Sequence, residues 1–342
     1  MRTIKYINFF LILIVLKFCY LVQAQNINKI SESSFKMSDL INLTPHKIIP
    51  LNFQTNTGTH FLSATSGLVH VGNKYFMIAD DDLNIGSMNE DGSKAILKKI
   101  LPGELPRDEK ERKKKKPDFE SLVRISDDRL AGEGLIAFPS GSKPNRFLAI
   151  FIPMTNKGKL DIEGLIRFDV SPFLNSILKQ NEHLNIEGVI IENQKLILFH
   201  RGNTDGDENR IFEFKKSDLV DLILGKNKET LFPIAKSEVV DLGNFEGVKL
   251  TLTDATFFEG RQFFLAAAEN TSNAIDDGEI KGTVLGEFLG PGHIRIISLF
   301  KKQKFEGLSL QRSKKTIKLS LVTDNDDPTH PSNLYLFKLK ML

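Results

Sequence analysis

One pattern recurs along this chain of 342 residues. A small or acidic residue opens a short apolar strand, a turn follows, and a second apolar strand ends in polar residues. The copies are anchored at Ser66 (Ser66-Gly67-Leu68-Val69), Glu120 (Phe119-Glu120-Ser121-Leu122), Glu187 (Ile186-Glu187-Gly188-Val189), Asp254 (Thr253-Asp254-Ala255-Thr256) and Glu306 (Phe305-Glu306-Gly307-Leu308). Their spacings are 54, 67, 67 and 52 residues. The stretch after 306, joined to that from about His46 to Ser66, makes a fifth interval of similar size. About four short strands fit each interval; after Ser66 they fall at 67–71, 75–80, 83–88 and 95–101. Four strands in a unit of this length are the mark of a β-propeller blade.

The last unit holds only three strands, at 305–310, 316–323 and 333–339, and residues 46–52 alternate weakly enough to supply a fourth. An N-terminal strand closing the C-terminal blade would cover both sheet edges. The expectation is an all-β, five-bladed propeller over residues 46–342, a single domain where length alone would suggest two. A six-bladed ring is the runner-up, because Glu163-Gly164-Leu165 and Glu246-Gly247-Val248 resemble the anchors. The first of these runs into Ser171-Pro172-Phe173-Leu174-Asn175, which reads as a capped helix, and 218–224 reads as a second helical insert. Twenty-six Phe, four Tyr and no Trp suit packed cores better than base-stacking platforms.

Residues 1–24 read as a secretory signal: a basic start (Arg2, Lys5), an apolar run from Ile7 to Leu16, and Val22-Gln23-Ala24 as the cleavage site. Lys17 leaves the run short of the ~20 residues that a membrane span needs. Residues 25–45 then form a linker. The signal carries three of the 46 basic side chains, none of the 43 acidic ones, and the single Cys. The remainder is neutral and free of Cys. That excludes a disulfide framework and a Cys-rich zinc site, and it removes the net field expected of a nucleic-acid binder. The expectation is a secreted or periplasmic monomer, away from the membrane once cleaved. The run Lys110-Glu111-Arg112-Lys113-Lys114-Lys115-Lys116 reads as a solvated loop between Pro106 and Pro117.

In a propeller the first strand of each blade lines the channel, so Ser66, Glu120, Glu187, Asp254 and Glu306 should converge near one mouth. Carboxylates that close repel unless a cation compensates. An oxygen-ligated divalent cation, calcium rather than magnesium or zinc, is the expected cofactor. The polar ends of the second strands should reach the same mouth: Asp80-Asp81-Asp82, Ser140 to Lys143, His200 to Asn203, Glu269-Asn270 and Thr323 to Asp327. Ser140, Lys143, Arg146, Asn203 and Glu269 are the candidate ligand-binding residues. Arg201 is the candidate phosphate fork or, equally, a partner for one of the acids. Asp80 and Asp324 are the candidates for orienting water. There is no glycine-rich nucleotide fingerprint, nucleophile elbow or metal-binding His pair.

The stretches Leu101-Pro102-Gly103-Glu104-Leu105-Pro106, Lys116-Pro117-Asp118-Phe119-Glu120, Ser140-Gly141-Ser142-Lys143-Pro144-Asn145-Arg146 and Asn185-Ile186-Glu187-Gly188 with Arg201-Gly202-Asn203 resemble an uncharacterised family of bacterial propeller proteins. More distantly, Gly67 to Lys74, the Glu187, Asp254 and Glu306 units and Arg201 are similar to calcium-activated nucleotidases (apyrases), which implies a secreted five-bladed ring with an axial calcium. Glu306-Gly307-Leu308 and Thr323-Asp324-Asn325-Asp326 are similar to phytase-like esterase propellers. By resemblance, Ser66, Glu120, Glu187, Asp254 and Glu306 are the calcium candidates, Asp254 departing from the commoner Glu or Ser.

Three functions follow as expectations. The first is a calcium-dependent hydrolase of phosphate esters or anhydrides. The second is a non-catalytic propeller, with structural calcium, that binds a small anion or a protein. The third is a lactonase or carboxylesterase, for which His200 is the only base near a strand end.

Overall fold

A computed structural model describes residues 36–340, apart from 56–57, 131, 156–157, 182, 205, 271–277 and 326. The expected signal and the start of the linker lie outside the described residues. Among the described residues no helix is long and apolar enough to cross a membrane.

Five sheets form the five blades of a propeller. From the axis outward, blade I holds Thr65–Val71, Lys74–Ala79, Asn84–Asn89 and Ile96–Lys99, and blade II holds Phe119–Asp127, Gly132–Pro139, Leu148–Met154 and Ile166–Asp169. Blade III holds Ile186–Glu192, Lys195–His200, Arg210–Lys215 and Lys236–Val239. Blade IV holds Val248–Phe258, Arg261–Asn270, Glu279–Gly290 and His293–Lys301. Blade V holds Phe305–Ser313, Thr316–Thr323 and Asn333–Lys340, and its outer strand is Lys47–Pro50, paired from Lys47↔Leu336 to Pro50↔Asn333. The inner strands touch in a closed cycle, each packing on the next. The N-terminal strand thus closes the last blade, as expected.

The six-bladed alternative fails at both extra anchors. Glu163-Gly164 lies in a turn, and Glu246-Gly247, with φ of 50° and 80°, is the tight turn between Asn244–Phe245 and Val248–Phe258. Blade I also gains a hairpin that the sequence did not announce, Asn52–Thr55 with Gly58–Phe61. Residues 36–45 are docked rather than loose. Ile41 donates its N–H to Ile297 O at 2.8 Å and accepts from Ser298 Oγ at 2.8 Å.

The core is divided by the ring. Each of five buried apolar clusters lies between two neighbouring blades. Phe dominates the largest fully buried side chains, as its abundance suggested. The helices Ser171–Leu178 and Lys216–Ile223 bury Phe173, Leu174, Leu219 and Val220 in the cluster between blades II and III.

The repeated anchor has a geometric cause. Every inner strand is bulged at the same place, skipping Ser66, Glu120, Glu187, Thr253 and Glu306 in its pairing with the second strand. A bulge re-aims the extra residue. The position after it touches the next blade. A Cβ at Gly67 would lie 2.7 Å from Leu122 N, and one at Gly188 would lie 2.8 Å from Ala255 N. The glycine of the Glu-Gly pair therefore answers a backbone approach between blades rather than a turn. Side chains on the same strands tie blade to blade: Ser121 Oγ accepts from Val189 N–H (3.0 Å), and Ser309 Oγ from His70 N–H (3.2 Å).

Because Gly188 meets backbone, which cannot rotate away, Gly188→Val is expected to cost about 2 kcal/mol or more, the scale of core overpacking. Urea unfolding checks this. A smaller loss than that of Gly72→Val, where the turn itself requires positive φ, would contradict the close-approach account.

Candidate functional site

At one mouth of the ring, strand ends and connecting loops from all five blades enclose an open cavity of about 650 Å³. It is lined by Asp80, Lys143, Arg146, Asn203, Glu269, Arg201, Asp324, Glu120, Glu187 and Glu306 from the expected set, together with Asp81, Lys116, Asp118 and Lys304. Three expected residues are absent from this lining. Ser140 lies directly behind it, donating its hydroxyl to Asp118. Ser66 turns back, its Oγ 3.4 Å from Ala64 O. Asp254 is one residue out of register, because the bulge in blade IV falls on Thr253. Its carboxylate accepts from Leu308 N–H at 2.6 Å and Ala255 N–H at 2.8 Å, so it joins blades IV and V.

The floor is a set of compensated acids. Arg201 is 4% exposed and fully engaged. Its Nη2 donates to Glu269 (2.7 Å), Nη1 to Glu187 (3.3 Å) and Nε to Thr251 Oγ1 (3.0 Å), while Glu306 lies 3.8 Å away. Lys304 bridges Glu306 (3.2 Å) and Asp324 (2.9 Å). Lys116 bridges Asp80 and Asp118, the latter at 2.9 Å. The other oxygen of Asp118 takes Arg146 Nη1 (2.7 Å) and Ser142 Oγ (3.1 Å) as well as Ser140. Arg201 and Arg146, expected to meet a ligand, are therefore spent on carboxylates. Of the two readings of Arg201, the pairing one describes the geometry.

Lys116 reveals a second departure from expectation. The basic run is a helix, Glu109–Lys115, not a solvated loop. Asp108 caps it, accepting from Glu111 N–H at 3.0 Å, a local Asp-x-x-Glu signal present in the sequence. The i, i+4 pair Arg112 and Lys116 turns inward, and Arg112 holds Asp81 at 2.7 Å. Asp118 sits at φ 60°, a left-handed conformation that Asp tolerates better than most residues. Its N–H donates to Asp80 O, and its carbonyl accepts from Ser140 N–H, both at 2.9 Å, which pins blade I to blade II. Lys116, Asp118 and Lys304 escaped the sequence reading, although a Lys stands shortly before Phe-Glu in both blades concerned.

The compensation is incomplete. Seven floor carboxylates (Asp80, Asp118, Glu120, Glu187, Glu269, Glu306 and Asp324) face four cationic side chains, Lys116, Arg146, Arg201 and Lys304. Glu120 is 8% exposed and has no hydrogen-bond or ion-pair partner among the described residues. Asp80 Oδ1 is buried and also unpartnered. Oxygens of Asp80, Asp118 and Glu120 lie within 4.8 Å of one another. Burial, reinforced by Glu187, Asp118 and Asp80, holds the Glu120 carboxyl far above its ordinary range. Burial outweighs Lys116 to lift Asp80 to about 7, and it raises Glu187 and Glu306 despite their cations. Burial acts against Asp118 and Glu269 too, yet Lys116 with Arg146, and Arg201 with Lys304, hold these two low.

The rim differs from the floor. Exposed Lys143 and Arg107 stand at its edge with no side-chain partner among the described residues, and Asn203 also lines the opening. His200, the expected base of an esterase reading, is buried with both ring nitrogens committed. Nδ1 accepts from Asn185 N–H (3.1 Å), and Nε2 lies 3.0 Å from Asp207.

Fold and site together define a five-bladed propeller with an acidic floor at one mouth. Residues 61–339 match the model of a family of unknown function (DUF6929), and the chain belongs to that family. No curated protein matches it. Among solved structures it is similar to an exo-β-1,3-galactanase from Phanerochaete chrysosporium (8% identity, 86% of this chain and 65% of that one, TM-score 0.45). It is also similar to a GH43 endo-arabinanase from Bacillus licheniformis (12%, 84% and 96%, TM-score 0.40) and to Trypanosoma rangeli sialidase (11%, 88% and 58%, TM-score 0.35). At these identities and overlaps they carry nothing about substrate.

Two outcomes follow. Arg201→Ala strands Glu187 and Glu269 in the interior and is expected to cost about 3–5 kcal/mol, with Arg201→Lys between it and the native chain. Chemical denaturation measures this. In metal-free buffer, Asp80 binds its proton more tightly in the folded state, where its value is about 7, than in the unfolded state, where it is near 3.8. Folded protein then holds the extra protons at the floor acids, and their contribution to stability falls as pH rises from about 4 to 7, offset in part by His70, which burial lowers to about 4. Glu120, Glu187 and Glu306 shift in the same direction. A melting temperature that climbs across this window would contradict the assignment.

Proposed function

We propose that the axial cavity is the centre of a calcium-dependent hydrolase acting on phosphate esters or anhydrides. The observation that carries this reading is Glu120, a buried carboxylate with no partner, beside Asp80 and Asp118 on a floor short of positive charge. Ionising such a carboxyl without compensation is costly, and hard oxygen donors from three carboxylates suit calcium. The axial set expected from the sequence fits a cation poorly. Arg201 and Lys304 already stand among Glu187 and Glu306, Asp254 is spent on two amides, and Ser66 turns away. The donors that fit are Asp80, Asp118 and Glu120, towards blades I and II. Calcium bound there supplies a Lewis acid for a phosphoryl oxygen.

This chain's own residues do the rest. Lys143 and Arg107 at the rim draw an anionic ligand towards a floor that would otherwise repel it. Asp80, whose Oδ1 is buried without a partner, is the residue placed to orient water. Arg146, Ser140 and Ser142 hold Asp118 in one orientation. Asp324, tied to Lys304, keeps that ammonium beside Glu306.

The test is turnover of nucleoside triphosphates, phytate and aryl phosphates by the purified protein, with calcium and with chelator. Calcium-dependent turnover is expected, with Asp80→Asn lowering kcat at least 100-fold, the scale of a lost acid–base group, and Glu120→Gln, a lost cation donor, raising the calcium concentration that turnover needs. Absence of chelator-sensitive turnover on all three substrate types overturns the reading.

A further inference from the structure

The acids of the cation site already hold a positive charge of their own. Lys116 Nζ contacts Asp80 Oδ2 and lies 2.9 Å from Asp118 Oδ1, so it shares two of the three residues with any bound metal. We propose that Lys116 is a tethered counter-ion that calcium displaces, and that this exchange sets the affinity of the site. The proposal rests on the reading that Asp80, Asp118 and Glu120 hold a divalent cation.

Three features point to exchange rather than coexistence. First, the three carboxylates carry three negative charges when ionised, and Lys116 and Arg146 answer two of them. A dication in place of the ammonium improves the balance, whereas a dication beside it must bear repulsion across a few ångströms in a poorly solvated pocket. Second, Asp118 cannot turn to offer a fresh oxygen, because Arg146, Ser140 and Ser142 hold its Oδ2. Its remaining oxygen is the one beside Lys116. Third, Lys116 is held only by its side-chain head and by its place at the end of the helix Glu109–Lys115, and the open cavity of about 650 Å³ gives the ammonium somewhere to go. Lys304 is different. Its acids, Glu306 and Asp324, lie outside the trio and each keeps its pairing.

The sign of the effect is diagnostic. A lysine that merely supports the fold, or one that binds substrate, would leave calcium affinity unchanged or weaken it when removed. A competing charge predicts the reverse, and the reactivity of the Lys116 amine separates displacement from an ammonium that stays beside the metal. Titration calorimetry with calcium chloride alone is expected to show Lys116→Met binding at least about 10-fold tighter than the native protein, because one competing charge has gone. Lys116→Arg, which keeps the charge, should remain at or below native affinity. Adding Glu120→Gln to Lys116→Met should abolish the gain, which places it at this trio.

A second measurement on the native protein covers the case in which Lys116→Met does not fold. Acetylation of the Lys116 amine, followed by peptide mass spectrometry, should accelerate at least threefold with calcium, while Lys304 labelling stays constant. Unchanged or slower labelling of Lys116, or calcium binding by Lys116→Met no tighter than native, overturns the proposal while leaving the cation reading intact. No calcium binding by the native protein or the variant overturns both.

Discussion

The inner strands of this ring approach one another at backbone distance, and that approach governs most of what surrounds it. Gly67 and Gly188 have no room for a Cβ against the next blade. Where the position is not glycine, a short polar side chain reaches across and accepts an amide, as Ser121 and Asp254 do. The bulge beside that contact supplies one residue too many for the pairing and turns it towards the mouth. Closure of the ring then brings Glu120, Glu187 and Glu306 together at the cavity, while Ser66 turns back to Ala64 O and Thr253 bonds Phe305 O. Convergence of acids is thus a by-product of closure, and the protein has to manage it.

It does so mainly with its own cations. Arg201, Lys304 and Lys116 each sit between two or more carboxylates, and each comes from a segment adjoining an inner or second strand. Buried ion pairs seldom improve stability over apolar packing, because desolvation consumes the Coulomb gain. Their retention here, with Glu120 left over and Asp118 held in a left-handed conformation, is better understood as upkeep of a charged cavity. The surface of the cavity is thus mixed, acidic below and basic at the edge.

The sequence reading located the blades well because each blade is a local object. Strand periodicity, turns and the Phe-rich core are all written within 50 to 70 residues. It placed Glu120, Glu187, Glu306, Asp80, Asp324 and Glu269 around one cavity for the same reason, since equivalent positions of a repeat must meet at the axis. It erred where a single residue of register mattered. Asp254 looked like an anchor by alignment of apolar runs, but the bulge chose Thr253. It also took the run at 110–116 for a solvated loop, because charge density concealed a capped helix whose i, i+4 side chains turn inward.

By itself, the sequence determined that this chain is a closed ring of four-stranded units with acids at most of its inner strand starts, while the turns at Glu163-Gly164 and Glu246-Gly247 fixed the count at five. Those features depend on residues close together in the chain, or on symmetry that repeats them. Only the tertiary structure decided which acid is paired with which cation. Lys116 meets Asp80 across 36 positions, and Arg201 meets Glu269 across 68. Such pairings depend on where different blades set their loops after the ring has closed, and on the desolvation that closure imposes. No local pattern records either, and so Glu120, the floor carboxylate without a hydrogen-bond or ion-pair partner among the described residues, could be recognised only in the folded ring.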